Sequence, residues 1–136
     1  MNAPAEQVTP FLMFEGRAEE AMTFYLSLFP DAAVESIHRY GPQGPGPEGT
    51  VMTAVFTLCG QRVMCSDSFV HHAFTFTPSL SLFVDCAGEA QVDARFAALS
   101  EGGQVLMPPG DYGFSRRFAW VQDRFGVSWQ LNLPHA

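Results

Sequence analysis

The chain contains no lysine. Seven arginines carry all of its fixed positive charge against fourteen Asp and Glu, for a formal net charge of −7. A general nucleic-acid binder needs a basic surface that displaces counterions from phosphates, and an anionic membrane surface makes a similar demand. Neither partner is expected. Long apolar runs are missing too: nothing approaches the ~20 residues that span a bilayer. Met1 to Pro10 lacks a basic segment followed by an apolar one, so no secretory leader is read there and the expected compartment is the cytoplasm. Cysteine is scarce. Cys59, Cys65 and Cys86 are odd in number and show no CxxC spacing, which reads as reduced, buried thiols rather than disulfides.

Apolar residues are plentiful. They make up 47% of the 136 residues, enough for the core of one domain spanning 1–136. Thirteen Phe point to a core filled by flat rings.

Val8 to Phe14 reads as a buried strand with Pro10 near its start. A helix follows Gly16, with Ala18, Ala21, Met22, Tyr25, Leu28 and Phe29 on one face and Glu19 and Glu20 in its first turn. Pro30 stops it. Ala33 to Tyr40 reads as a strand, and the Gly- and Pro-rich stretch 41–49 as a loop. Thr50 to Leu58 and Arg62 to Ser66 form a hairpin about Cys59-Gly60-Gln61. Residues 67–78 are irregular and link two halves. The second half opens with a strand, Ser79 to Asp85. A helix from Glu89 to Ser100 carries Val92, Phe96 and Leu99 on one face and ends at Gly102-Gly103. A short strand, Gln104 to Met107, leads to a Pro108-Pro109-Gly110 loop. A hairpin then joins Phe114–Gln122 to Val127–Leu133.

The halves repeat each other. A shift of 70 residues lays Phe14 on Val84, Glu19 on Glu89, Met22 on Val92 and Phe29 on Leu99; a shift of 66 lays Gly60 on Gly126 and Met64 on Gln130. Each half runs strand, helix, strand, strand, strand, giving modules at about 8–68 and 79–133. The fold class is α+β: two βαβββ modules whose curved mixed sheets form a cup. A helix covers one face of each sheet, and the other face must meet its repeat or a ligand.

Separated motifs in one order then bring a family into view. Thr9-Pro10-Phe11-Leu12-Met13-Phe14, Ala18-Glu19-Glu20-Ala21, Phe24-Tyr25, Leu28-Phe29-Pro30-Asp31 and Arg39-Tyr40-Gly41 resemble the start of PhnB-like proteins. Ala98-Leu99-Ser100-Glu101-Gly102-Gly103 and Asp123-Arg124-Phe125-Gly126-Val127-Ser128-Trp129-Gln130 continue the likeness to about residue 134. These proteins form a branch of the glyoxalase/bleomycin-resistance (vicinal oxygen chelate) superfamily. The resemblance implies paired βαβββ modules and a homodimer. Some PhnB-like proteins bear a demethylubiquinone methyltransferase label. This chain lacks the Gly-rich strand-to-helix turn of a doubly wound sheet that would hold a methyl-donor cofactor.

In metal-using relatives, four inward His or Glu side chains on the first and last strands of the modules hold a divalent ion. Aligned with them here are Thr9, Met64, Ser79 and Gln130. Hydroxyls, a thioether and an amide are weak ligands for Zn, Ni or Fe, so neither metal nor cofactor is expected.

Strand parity places Phe11, Met13 and Phe83 with Thr9 and Ser79 on the ligand-facing side. Trp129 should point to the helix side; Trp120 could line the cup or join the core. The expected binding set is Thr9, Phe11, Met13, Met64, Ser79, Phe83, Trp120 and Gln130. Asp67 is a candidate general base, or a turn-forming Asp bonded to nearby backbone. One of Arg116 and Arg117 should face the cup, where it could grip an acidic ligand. Tyr112 could cap the mouth. His71 and His72 point opposite ways and read as surface or rim residues, with His38 and His135 lying elsewhere. The functional expectation is a small apolar or aromatic ligand in a metal-free cup. The alternatives are an enzyme of the same fold, using Asp67, a His or an unexpected metal, and a dimeric structural or regulatory module with a closed cup.

Overall fold

The computed structural model describes residues 6–136. The first five residues of the stretch read for a leader lie outside the described residues. The chain divides into two compact units at His71/His72. Each has the element order read from the repeat.

In the first unit β1 is Phe11–Phe14, α1 Ala18–Leu28, β2 Ala33–Arg39, β3 Val51–Leu58 and β4 Gln61–Asp67. The sheet order is β1-β4-β3-β2. β1 runs parallel to β4, while β4, β3 and β2 are mutually antiparallel. The mixed sheet follows from the connections. A two-residue turn at Cys59-Gly60, both with positive φ, closes β3–β4, whereas β1 reaches its neighbour only after the helix and two strands. α1 receives no side-chain cap from its N-cap residue, Arg17. Its orphan N–H groups are met from β4 instead: Asp67 Oδ1 accepts from Gly16 N at 2.8 Å and Ala18 N at 2.9 Å, and Oδ2 accepts from Val51 N at 3.0 Å. One carboxylate therefore ties the helix start to the first residue of β3. Alternation sends Leu12, Phe14, Ala54, Phe56, Val63 and Cys65 toward α1, where Ala18, Ala21, Met22 and Tyr25 are buried.

The second unit contains β5 Ser81–Asp85, α2 Glu89–Ser100, β6 Gln104–Gly110, β7 Arg117–Gln122 and β8 Ser128–Leu133, ordered β5-β8-β7-β6. Gly102, at φ 73, ends α2 in a left-handed turn. Gly103 cannot carry a side chain, because a Cβ there would meet the Gln122 carbonyl oxygen at 2.2 Å. Trp129, Leu131, Val121 and Ala119 pack toward α2, against Val92 and Leu99. Asp123 organises the β7–β8 turn. Its Oδ1 accepts from Phe125 N at 2.8 Å and Val127 N at 3.1 Å, and its Oδ2 from Trp129 Nε1 at 2.9 Å.

Several expectations need correction. β1 is shorter than Val8–Phe14, and β5 begins at Ser81 rather than Ser79. β6 runs through Pro108 and Pro109, because an edge strand tolerates lost N–H groups where its register slips, as it does between Met107 and Gly110. β7 starts at Arg117, not Phe114. Cys65 and Cys86 are buried, but Cys59 is exposed in the hairpin turn. The thirteen Phe do not all fill the core either: Phe11, Phe69, Phe74, Phe83 and Phe114 are each more than half exposed.

Burial, aided by the nearby Asp67 charge, pushes the Cys65 thiol up to about 12 from the ordinary 9.0. The thiol stays protonated in the folded chain but ionises near 9 once unfolded. Its contribution to stability is therefore complete below pH 9 and is lost as pH rises toward 12. Urea midpoints measured at pH 8 and pH 10 should fall more steeply for the native chain than for Cys65→Ala. Equal slopes would remove Cys65 as the cause. At neutral pH a thiol reagent should modify Cys59 alone until the chain opens.

Candidate functional site

Each sheet has one face toward its helix and one without a helix. On the first unit's helix-free face, Phe11 pairs with Met64 and Met13 with Ser66, and Val55 lies opposite Met64. Phe11 is 52% exposed; Met13, Met64 and Ser66 are half-buried. Thr9 is half-buried just before β1, where Met64 N donates to Pro10 O at 2.8 Å.

On the second unit's helix-free face the rows are Ser81–Ser128–Gln122, Phe83–Gln130–Trp120 and Asp85–Asn132–Phe118. Trp120 Nε1 donates to Ser128 Oγ at 2.9 Å, the Ser128 and Ser81 hydroxyls lie 2.7 Å apart, and Gln130 Nε2 donates to Ser81 Oγ at 3.1 Å. This chain of hydrogen bonds fixes Trp120 on the Gln130 face and leaves Trp129 on the helix side. Phe83 stands 57% exposed beside Phe118, which Tyr112 and Phe114 meet edge-on.

Ser79 does not belong to this face. It is exposed ahead of β5, with its hydroxyl 2.7 Å from that of Thr77. With Met64 matched to Gln130, the pairings Phe11–Met64 and Phe83–Gln130 match Phe11 to Phe83 and Thr9 to Ser81. The shift that aligned the helices misplaced the strand by one alternation, since the second unit turns from strand to helix in fewer residues. Ser81 and Ser128 were thus missed. Their parity with Phe83 and Gln130 is the signal that finds them.

Asp67 is buried, and three backbone N–H groups occupy its carboxylate. The bonds are long-range, not those of a local turn. Asp67 and Gly16 also border an open depression of about 270 Å³ with Glu15, Thr50, Phe69 and His71. His71 Nδ1 sits 2.8 Å from Glu15 Oε1, with its side chain 91% exposed. His72 stacks on Phe74, and His38 and His135 are exposed. Among the described residues no group of three or more His, Cys, Asp and Glu could hold a metal ion. Thr9, Met64, Ser79 and the pairing-matched Ser81 and Gln130 offer no imidazole or carboxylate, so the side chains present do not fit a transition metal at those places.

Arg117 turns to α2, where Nε donates to Asp93 Oδ1 at 2.8 Å, and Arg116 Nε donates to the Pro134 carbonyl at 2.8 Å. Tyr112, half-exposed, donates its hydroxyl to the Pro108 carbonyl. No helix among the described residues is long and apolar enough to cross a membrane.

With this geometry in hand, the sequence pattern of a family described as 3-demethylubiquinone-9 3-methyltransferase matches residues 6–132. YjdN from Escherichia coli is 21% identical over 139 aligned positions, covering 93% of this chain and 94% of that protein. A PhnB protein from Bacillus cereus is 55% identical, with TM-score 0.91 over 94% of this chain and 99% of that one. A FosX fosfomycin resistance protein from Listeria monocytogenes, complexed in its structure with manganese(II), shares the fold alone: 10% identity and TM-score 0.62 over 98% of this chain and 95% of that one.

Proposed function

This chain belongs to the 3-demethylubiquinone-9 3-methyltransferase family, a PhnB-like group structurally related to the vicinal oxygen chelate superfamily, and from that membership we propose a binding role rather than the activity in the family's name. The ligand is a small apolar or aromatic molecule, held on the helix-free sheet faces without a metal. One observation carries the reading. On the second unit's face Phe83, and beside that face Phe114, stand more than half exposed, and the same face holds the hydrogen-bonded set of Trp120, Ser128, Ser81 and Gln130; on the first unit's own face Phe11 is likewise more than half exposed. Apolar walls with a few fixed polar groups are what a small-molecule site needs.

A methyl-donor cofactor does not fit these residues. Each sheet has a single parallel pair, with no doubly wound crevice among the described residues. The start of α1, where an anionic cofactor group would settle, already has Asp67 on its N–H groups. The same bonds support an anchoring role for Asp67 over duty as a general base. Homodimer assembly and a cytoplasmic setting are part of the proposal.

A thermal-shift screen with and without divalent metals tests it. A ligand present at 100 times its Kd stabilises by about 2.7 kcal/mol, or roughly 5–10 °C for a chain of this size. Hits should work without metal and should change Trp fluorescence in the native chain but not in Trp120→Phe, because Trp129 is sealed on the helix side. Stabilisation seen only when a metal is added would overturn the metal-free reading.

A further inference from the structure

Among the described residues, two buried side-chain polar atoms lack a hydrogen-bond partner: Thr53 Oγ1 and Asn132 Oδ1. Both belong to the helix-free faces. Thr53 precedes Ala54, which pairs with Cys65, so it falls opposite Ser66, itself paired with Met13. Asn132 sits between Asp85 and Phe118. Met64 and Gln130 correspond in the repeat, so these are corresponding rows of the two sheets. An orphaned buried acceptor costs about 1–3 kcal/mol, and here the residue is only 8% exposed. The amide orientation is fixed chemically. Asp85 Oδ1 accepts from Asn132 Nδ2 at 2.9 Å, and a carboxylate can only accept, which leaves Oδ1 as the free end.

Around this row stand four rings. Tyr112 and Phe114 are near parallel, with centroids 6.3 Å apart and planes at 20°. Phe118 meets Tyr112 at 88° and 6.1 Å and Phe114 at 72° and 4.9 Å. Phe83 lies 6.5 Å from Phe118. Tyr112 and Phe114 are 40% and 58% exposed while Phe118 is buried at 4%, so two open walls stand beside a closed ring. Ring faces attract cations, and Asp85 adds a carboxylate to the same row. The chain's net charge of −7 raises the local concentration of cations further.

We propose that the second unit's helix-free face binds a protonated organic amine with an aromatic or apolar body. The ammonium donates to Asn132 Oδ1 beside Asp85, and the body lies among Phe83, Tyr112, Phe114 and Phe118. This deepens the binding reading above and rests on it. It commits to a cation, because the unmet group of this row is an acceptor, its neighbour Asp85 is an anion, and Arg117 turns away to Asp93 on α2.

The test is a ¹H–¹⁵N titration of the full chain at low salt with 2-phenylethylammonium, 2-phenylethanol and phenylacetate. The amine should bind at least tenfold more tightly than the alcohol or the acid, shifting the Asn132 side-chain amide. Asn132→Leu keeps the shape and removes the orphan, so it should fold while losing the amine preference. Phe114→Ala, at an exposed ring, should weaken the amine at least tenfold without unfolding the chain. Equal binding of all three probes, or an amine preference that survives in Asn132→Leu, would overturn the amine assignment and leave the general binding reading standing. No binding of the amine would also overturn it. Failure of the metal-free screen would instead remove the binding reading itself.

Discussion

Asp67→Ala is expected to lower stability by about 3–5 kcal/mol, since each hydrogen bond to a charged group is worth about 1.5–3 kcal/mol and buried donors are left unmet. The three donors are Gly16 N, Ala18 N and Val51 N, the last two buried. The N-cap residue of α1, Arg17, makes no side-chain capping hydrogen bond. A domain of this size has about 5–15 kcal/mol in all, so the variant should melt far earlier or fail to fold. Asp67→Asn should recover only part of the loss. Its single amide oxygen can serve the helix start or Val51 N, but not both, and the NH₂ then faces a donor. Urea denaturation of Asp67→Asn checks this without needing the alanine variant to fold. A midpoint equal to that of the native chain would show that the carboxylate is not an anchor and would restore its candidacy as an acid–base group.

Asp123→Ala should cost nearly as much, about 2–4 kcal/mol, through the second unit. It removes the acceptor of Phe125 N and Val127 N in the β7–β8 turn, and it strands Trp129 Nε1, whose ring is the largest fully buried side chain. An indole N–H can only donate, so losing the Asp123 acceptor leaves it a buried donor in a dry core. The readout is tryptophan emission with the melting curve. Trp129 emission should shift to the red in the variant as water or disorder reaches the ring. An unchanged spectrum with an unchanged melt would show that the turn is set by Gly126 and the local backbone alone.

The two carboxylates show where sequence reading succeeds and where it stops. The modules were legible because apolar periodicity and the repeat are local signals: Met22 matching Val92, and Gly60 matching Gly126, need no tertiary knowledge. The placement of Phe11, Met13 and Phe83 on one kind of face was legible from alternation, and that of Gln130 from the family resemblance and the repeat. The partners of Asp67 were not. They lie far along the chain and are backbone groups, which carry no identity in a sequence. The same holds for Asn132, whose interest comes from a partner it lacks. Ser79 went wrong for a geometric reason. Alternation is unforgiving, and the strand-to-helix turns of the two units differ in length, so helix alignment could not place the first-strand position. Pairing with Gln130 places Ser81 there instead. The exposure of five Phe was hidden as well, since composition counts rings but not the face on which each stands.

The metal expectation shows the limits of inheritance. The fold is shared with a FosX protein complexed with manganese(II), yet fold carries no ligand set. What this chain offers at the corresponding strand positions are hydroxyls, a thioether and an amide, and its three free thiols are scattered between a turn and two buried places.

The central claim is that ligand binding belongs to the helix-free faces. The most direct measurement is backbone and side-chain ¹H–¹⁵N mapping of the strongest metal-free hit from the thermal screen. Shifts concentrated on Phe83, the Trp120 indole, Gln130 and Asn132, with Trp129 Nε1 unmoved, are the predicted result. Shifts concentrated on Glu15, Gly16 and His71, around the depression at the end of β1, would contradict it.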